Sequence, residues 1–445
     1  MRLTLLTVAL ACVAQVALGA DLSSIYQLAR ANDAVFAAAQ EAYKAGLEKL
    51  PQGKALLRPT INLSANLNHT DTQSSNVGYS KTSDPYGYSL SLTQPIYRKQ
   101  NLETYEQAKL QVLQAEQQLK VAEQDLQLRV AKAYFDVLQA QDVLATARSQ
   151  KQAFAEQLAQ ARKSFEVGAA TITDTHEAQA RYDLTTAQEI AGQNDLEVKK
   201  RALEKIVNQE APTLALLNEQ ARMRLPEPNS MDAWVKQAEA DSLAVALGRT
   251  AQEAARREVD KQKGGHMPTL DLKASYSDNR GQSLATTSNV ATQTGTISLE
   301  FVLPIYQGGA TSSRVREASA NLEKARHELD NARRQATLDA RQAYLGVLSG
   351  SAQVQALEQA LVSSEAQLRS TKLGLEVGVR TGVDVLNAQQ QVYTTRKDLA
   401  AARYQTLIAG LTLKAAAGAL HESDLKALDA LLVDIGADRV RDSAP

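Results

Sequence analysis

A nine-residue sequence is written twice in this chain. It runs Glu166-Val167-Gly168-Ala169-Ala170-Thr171-Ile172-Thr173-Asp174 and then Glu376-Val377-Gly378-Val379-Arg380-Thr381-Gly382-Val383-Asp384, with the two aspartates 210 positions apart. These residue types recognise charge; they do not make or break bonds. An arginine donates a forked pair of hydrogen bonds to a carboxylate or a threonine oxygen, so Arg380 is suited to bridge to Asp174 or Thr173. Gly168 and Gly378 fit the left-handed position that ends a helix. Thr173 or Asp174 in the first copy, and Thr381 or Asp384 in the second, fit the cap of a returning helix. On the plainer alternative, Asp384 is only a helix cap and Arg380 a solvated loop charge.

Nothing else in the chain resembles a reaction centre. His69, His176, His266, His327 and His421 are scattered without metal-ligand spacing. Gly264-Gly265 and Gly308-Gly309 lack the remainder of a phosphate-binding loop and fit helix ends instead. No enzyme activity, cofactor or metal is expected. The formal net charge is -1 with no basic block, which leaves nucleic acid without an electrostatic footprint. Residues 1–20 read as an export signal, with Arg2, an apolar run over 3–18 and a small-residue cleavage site at Leu18-Gly19-Ala20. The one cysteine, Cys12, lies inside that run. Ala9-Leu10-Ala11 before it is a poor lipoprotein signal. Without it, neither disulfides nor cysteine–metal chemistry are open to the chain.

The elements that hold the twin turns are unusually long. Between Pro95 and Gly168 there is neither proline nor glycine, and good helix formers dominate. Val112, Leu119, Leu126, Ala133, Ala140, Ala147, Phe154 and Ala161 recur every seven residues, the period of coiled-coil packing. A matching helix is expected over about 310–375, with Gly346 and Gly350 as soft points. Returning helices run to about Val207 and Ala417, and shorter helices over 22–50 and 231–263 come before four strands. Those strands show strict alternation. In 60–68, Ile61, Leu63, Ala65 and Leu67 oppose Asn62, Ser64 and Asn66; the same pattern returns near 86–93, 269–276 and 295–303. Polar loops are expected at 71–85 and 278–293.

The whole arrangement is duplicated. Pro59, Thr60 and Leu63 recur as Pro268, Thr269 and Leu272, and Ala133-Tyr134 as Ala343-Tyr344. The expected plan is an export signal (1–20), a first repeat (21–207), a linker (208–229), a second repeat (230–417) and an irregular or flexible tail (418–445). Each repeat reads helix, strand, strand, long helix, turn, helix. The strands are either half-buried hairpins of a soluble sheet or transmembrane strands with a lipid face and a wet face. Export and strand length favour the second. Four strands cannot close a barrel, and lipid does not tolerate an open edge. Copies must then pool strands, two giving eight and three giving twelve; sequence pattern alone does not choose.

This duplicated order, with its two turn sequences and Ala388-Gln389 mirrored by Ala178-Gln179, resembles the TolC family of bacterial outer-membrane channel-tunnels across essentially the whole exported chain. The resemblance implies a mainly α fold with membrane strands. It implies a homotrimer with a shared twelve-stranded barrel in outer-membrane lipid, continued by a long α-helical barrel in the periplasm of a Gram-negative cell. The implied function is passive export of proteins (type I secretion), drugs or metals, with a periplasmic membrane-fusion adaptor and an inner-membrane ABC or proton-driven transporter as partners. By position, the family's gate arginine falls on Arg380, its first-repeat partners on Thr173 and Asp174, and its entrance aspartate on Asp384. Three copies of Asp384 around one axis would repel, raise one another's pKa and attract cations. Asn387 stands where some members carry a second aspartate, and Leu375 where some carry a tyrosine bonded to the first-repeat aspartate. The resemblance also gives Gly168, Ala169, Ala170 and Thr171, with Gly378, Val379, Arg380 and Thr381, as the turns that meet the adaptor. A different class remains beside this one: an exported periplasmic coiled-coil adaptor or structural protein without a pore.

Overall fold

The computed structural model describes residues 19–74, 79–168, 171–218, 221, 225–282 and 289–433. Most of the expected export signal, the pair Ala169-Ala170 and the end of the tail lie outside the described residues. The chain is mostly helical and separates into two compact units. One comprises Met1–Ala39, Lys120–Leu243 and Arg334–Pro445; the other comprises Gln40–Leu119 and Ala244–Arg333.

In chain order the elements are α1 (Leu22–Asn32), α2 (Ala34–Leu47), α3 (Lys49–Ala55), β1 (Thr60–Leu67), β2 (Thr70–Ser74), β3 (Tyr79–Ser83), β4 (Tyr86–Tyr97), α4 (Lys99–Glu166), α5 (Ile172–Val207) and β5 (Leu216–Leu217). There follow α6 (Met231–Asp241), α7 (Leu243–Lys263), β6 (Thr269–Gln282), β7 (Asn289–Val302), α8 (Ala310–Glu376), α9 (Gly382–Ala416), α10 (Glu422–Asp429) and β8 (Leu432–Val433).

In the second unit the strands form an antiparallel sheet of order β1-β4-β6-β7. Its register aligns the period-two pattern of all four strands. Ile61, Leu92, Ala274 and Ile297 share one row, and Asn62, Ser91, Ser275 and Thr296 the next. One face is therefore apolar, and it is exposed: Ile61, Leu63, Leu90, Ile297, Leu299 and Phe301 all lie open. The other face carries the charges in pairs. Lys273 Nζ lies 2.5 Å from Glu300 Oε2, and the Arg98 guanidinium holds both oxygens of Asp271. The expected polar loops are shorter than the sequence suggested. β2 pairs with β3 across the first, and β6 and β7 continue their ladder to Gln282 and Asn289. Polar side chains do not end a ladder that water can flank. Here Asp278 accepts from Arg280 Nε at 3.2 Å and from Gln293 Nε2 at 3.2 Å across the pair.

The two long helices form as expected, with 68 and 67 residues. α8 runs unbroken through Gly346 and Gly350. At Gly350 the missing Cβ, which would stand 2.6 Å from Thr406 Oγ1, lets α9 approach. The helix expected over 22–50 is instead three pieces, and that over 231–263 is two. Asp33 ends α1 with a bond from its N–H to Ala29 O at 2.7 Å, then starts α2 by accepting from the Phe36 N–H at 2.7 Å. The tail is ordered through Val433, against expectation. Asp424 bonds back to the His421 N–H at 2.8 Å and pairs with Lys414 at 2.7 Å, Leu425 is fully buried, and β8 adds to β5. In the same unit the Tyr134 hydroxyl sits 3.0 Å from Ala20 O and 2.9 Å from Ala215 O, where the chain's start meets the segment after α5.

Asp33 is almost wholly buried, and Arg129 grips it through both guanidinium ends at 3.0 and 3.1 Å. Burial pushes the Asp33 carboxyl up, but the Arg129 and Phe36 bonds outweigh it and hold it below the usual carboxylate range. A depressed carboxyl contributes stability above its unfolded pKa, and that stability is lost as pH falls through the folded value. Arg129→Ala is expected to cost about 2–3 kcal/mol at neutral pH by leaving a buried carboxylate unpaired. The gap should shrink below about pH 4, where the unfolded-state carboxyl protonates. Thermal melts of the helical circular-dichroism signal at pH 7 and pH 3 check this; an equal gap at both would remove the ion pair as the cause.

Candidate functional site

Both turn sequences close in the same way. Gly168 and Gly378 adopt φ of 73° and 79°, a conformation only glycine takes without strain. Beyond them the returning helices start at Thr171 and Thr381, not at Thr173 or Asp174. Asp174 and Asp384 stand three residues into those helices and complete capping boxes. Thr171 Oγ1 accepts from the Asp174 N–H at 3.2 Å, and Asp174 Oδ2 accepts from the Thr171 N–H at 3.0 Å. The corresponding distances at Thr381 and Asp384 are 3.2 and 2.9 Å. A capping box explains the choice of residue: the threonine supplies the acceptor and the aspartate answers it. In the single chain the Asp384 carboxyl is held below the usual range by the Thr381 N–H, then by the Thr381 hydroxyl, with the Arg380 charge adding to both.

Arg380 does not reach Asp174. Its stem lies across Gly374, where a Cβ would stand 2.7 Å from Arg380 Cγ, and the Val379 and Arg380 N–H groups both donate to Gly374 O, at 2.9 and 3.0 Å. Within the single chain Asp174 Oδ2 is engaged by the Thr171 N–H and hydroxyl. Thr173 is exposed and joins none of these bonds. Arg380, Asp384 and Asn387 instead line one groove of about 820 Å³ between α8 and α9, with Ser364, Thr371 and Gln391.

The two hairpins, α4–α5 and α8–α9, are joined elsewhere. Leu386, two residues beyond Asp384, is fully buried among Phe154, Leu158 and Ala178, with Ala161 and Tyr182 at the margin. A ladder of polar bonds runs along the same face of α9. Arg181 Nη2 donates to Asn387 Oδ1 at 3.0 Å and Gln150 Nε2 to Gln390 Oε1 at 2.5 Å. The Tyr393 hydroxyl donates to Ser149 O at 3.3 Å and the Tyr404 hydroxyl to Asp142 Oδ2 at 2.6 Å. Burial first, and the Asp142 charge second, push the Tyr404 phenol far above its ordinary value, so it stays a donor. Of the residues singled out by sequence, Asn387 therefore belongs to the junction, while Asp384 and Arg380 belong to the groove beside it. Leu386 was missed because a leucine in a helix reads as core. The signal was the difference between the copies: His176 occupies the matching position of the first turn.

Among the described residues no group of three or more His, Cys, Asp or Glu side chains is arranged to hold a metal ion. The arrangement packs the helices of the two hairpins against one another.

The family model described as "Outer membrane efflux protein" matches the chain twice, over residues 25–209 and 234–419. The chain is 32% identical over 414 residues to the outer membrane protein TolC of Vibrio cholerae, covering 92% of this chain and 93% of that protein. It is 33% identical to the alkaline protease secretion protein AprF of Pseudomonas aeruginosa, covering 92% and 86%. Among solved structures it resembles CusC, whose crystal structures address folding and transmembrane channel formation, with a TM-score of 0.79 and 16% identity over 89% of this chain and 92% of that one. That likeness speaks to the fold.

If Leu386 is the apolar lock, Leu386→Ala leaves a cavity among Phe154, Leu158 and Ala178, at a cost of about 2–5 kcal/mol. Amide hydrogen exchange over residues 382–392 should accelerate at least tenfold, while α9 beyond Leu399 changes little. Unchanged exchange in that segment would show that the junction is held by something else.

Proposed function

The chain belongs to the outer membrane efflux protein family, and from that premise we propose that it is a passive exit duct in the outer membrane of a Gram-negative cell, exporting proteins and small molecules for a tripartite transport machine. The observation that carries this reading is the sheet. It has one apolar face lying open, and among the described residues neither β1 nor β7 has a partner on its outer edge. Such a sheet is stable in lipid only when its edges are closed. Three copies, each giving four strands, close a twelve-stranded barrel, and their long helices form the periplasmic conduit. The two matches to one family model support an internally duplicated architecture behind this assembly. A coiled-coil adaptor without a pore would leave the open apolar face of the sheet without purpose.

Within that reading Asp384, Arg380, Thr173, Asp174 and Asn387 surround the periplasmic gate, and the turns around Gly168, Thr171, Gly378, Val379 and Thr381 meet the helical hairpins of a membrane-fusion adaptor. Val167, Val377 and Val379 are exposed at those turns, apolar surface suited to a helical partner. The energy comes from an inner-membrane ABC or proton-driven transporter, since the chain offers none. Relatives named for protease secretion favour protein cargo, and those named for efflux favour small molecules. The partner transporter selects between them.

The direct test compares the secreted proteins of a strain lacking this chain with its parent. Loss of large proteins without N-terminal signals is expected; an unchanged secretome with undiminished drug resistance would overturn the proposal. At the gate, Arg380→Ala frees the stem over Gly374 and removes the cation beside Asp384. Planar-bilayer recordings should show more frequent opening, and an unaltered opening frequency would remove Arg380 from the gate.

A further inference from the structure

Ala20, the last residue of the expected export signal, is built into the fold. Its N–H donates to Thr213 O at 2.7 Å. Its carbonyl accepts from the Ala215 N–H at 3.1 Å and from the Tyr134 hydroxyl at 3.0 Å. Ala20 thereby bridges in parallel to Leu214, and Tyr134 and Ala215 beside it are buried. A cut after Ala20 leaves the Ala215 N–H without this acceptor, a loss that buried backbone groups rarely tolerate. The sequence offers a better bond one residue earlier. A cut after Gly19 has Ala17 and Gly19 as its two small residues, in the spacing an export peptidase reads. A cut after Ala20 puts Leu18 at the first of those positions, and a cut after Leu18 ends on a large side chain.

Two carboxylates stand at the same point. Burial first, then the Asp429 and Asp21 charges, push the Tyr134 phenol far above its ordinary value, which places both carboxylates near the hydroxyl that holds Ala20 O. Asp429 ends α10, where the negative pole of a helix disfavours an acid. It accepts from the Ser23 N–H at 3.3 Å. Burial pushes the Asp429 carboxyl above the usual carboxylate range, the Ser23 bonds pull it down, and the Asp21 charge pushes it up again. The neighbouring lysines are committed elsewhere, Lys426 to Glu422 and Lys414 to Asp424. Among the described residues no cationic side chain answers Asp429.

We propose that an export signal peptidase hydrolyses the Gly19–Ala20 bond, and that the α-ammonium freed at Ala20 stays on Thr213 O with Asp429 as its counter-ion. Water adds across the peptide bond. Gly19 departs with a new carboxylate, and the Ala20 amine takes up a proton. The ammonium keeps the donor that the amide N–H supplied and brings the charge that Asp21 and Asp429 lack. The processed end is then pinned between the segment after α5 and the end of α10, all within one compact unit. The inference rests on export of the chain and not on its being a duct.

The test begins with N-terminal sequencing of the full chain purified from cell envelopes, where Ala20 should come first. A chain that begins at Asp21 overturns the inference and leaves the duct reading intact; an uncut chain overturns export as well. The counter-ion is tested with Asp429→Asn, which keeps an acceptor for Ser23 and drops the charge. Labelling of the Ala20 α-amine by an amine-reactive reagent at neutral pH should rise about tenfold, the effect of one pKa unit. Asp429→Glu should restore slow labelling. In the unaltered chain, labelling should reach half its full rate above about pH 8, the ordinary α-amine value. A midpoint at or below that value, or equal labelling with and without the Asp429 charge, overturns the pairing.

Discussion

A four-stranded sheet with an open apolar face, and with no partner on either outer edge among the described residues, is the constraint on which the rest of this protein depends. Each backbone group left unpaired in hydrocarbon costs several kcal/mol, and β1 and β7 each present a row of them. No rearrangement of one chain can remove both edges. In the proposed duct closure comes from other copies, and the requirement then passes down the chain. In the proposed assembly every copy has to be held in the same orientation, a task for helix-to-helix contacts. The charged side chains on the sheet fit this account. Lys273 with Glu300, and Arg98 with Asp271, are paired on the face opposite the leucines and phenylalanine, the face that the proposed barrel would turn to its lumen.

The helices solve a different problem with few large side chains. Aromatic residues make up 4% of the chain, so an ordinary core is not available. Long helices packed through alanine bury little area per residue but bring backbones close. The few bulky residues are then spent at junctions: Phe154 and Leu386 between the hairpins, Trp234 with Tyr344 and Leu413, and Tyr134 against the segment after α5. Polar ladders between helices supply register more than energy, since partly exposed ion pairs contribute little.

Much of this was legible in the sequence, and the failures have physical causes. The long helices and the strand cores were readable because periodicity repeated over many residues accumulates. Boundaries set by a single group were not. Asp33 breaks a helix because its carboxylate caps the next one while Arg129 holds it, and no window of composition contains that pair. The strand extensions beyond Tyr276 and before Gly295 were missed because the apolar alternation stops there, whereas the ladder does not. At the turns the pattern missed the capping boxes: Thr171 with Asp174, and Thr381 with Asp384, answer each other within one turn, and in the single chain the Arg380 stem lies along Gly374.

The duplication itself carries the last step. Two hairpins share a glycine turn and a threonine–aspartate cap, so selection on folding alone would keep them alike. They differ where they touch other helices: Leu386 against His176, Phe154 against Ser364, Arg181 against Gln391. Interiors are sensitive to a single methylene, so the Leu386 knob, buried against Phe154, resists displacement in a way that the exposed His176 does not. The capping boxes are alike in both turns and keep each of them folded.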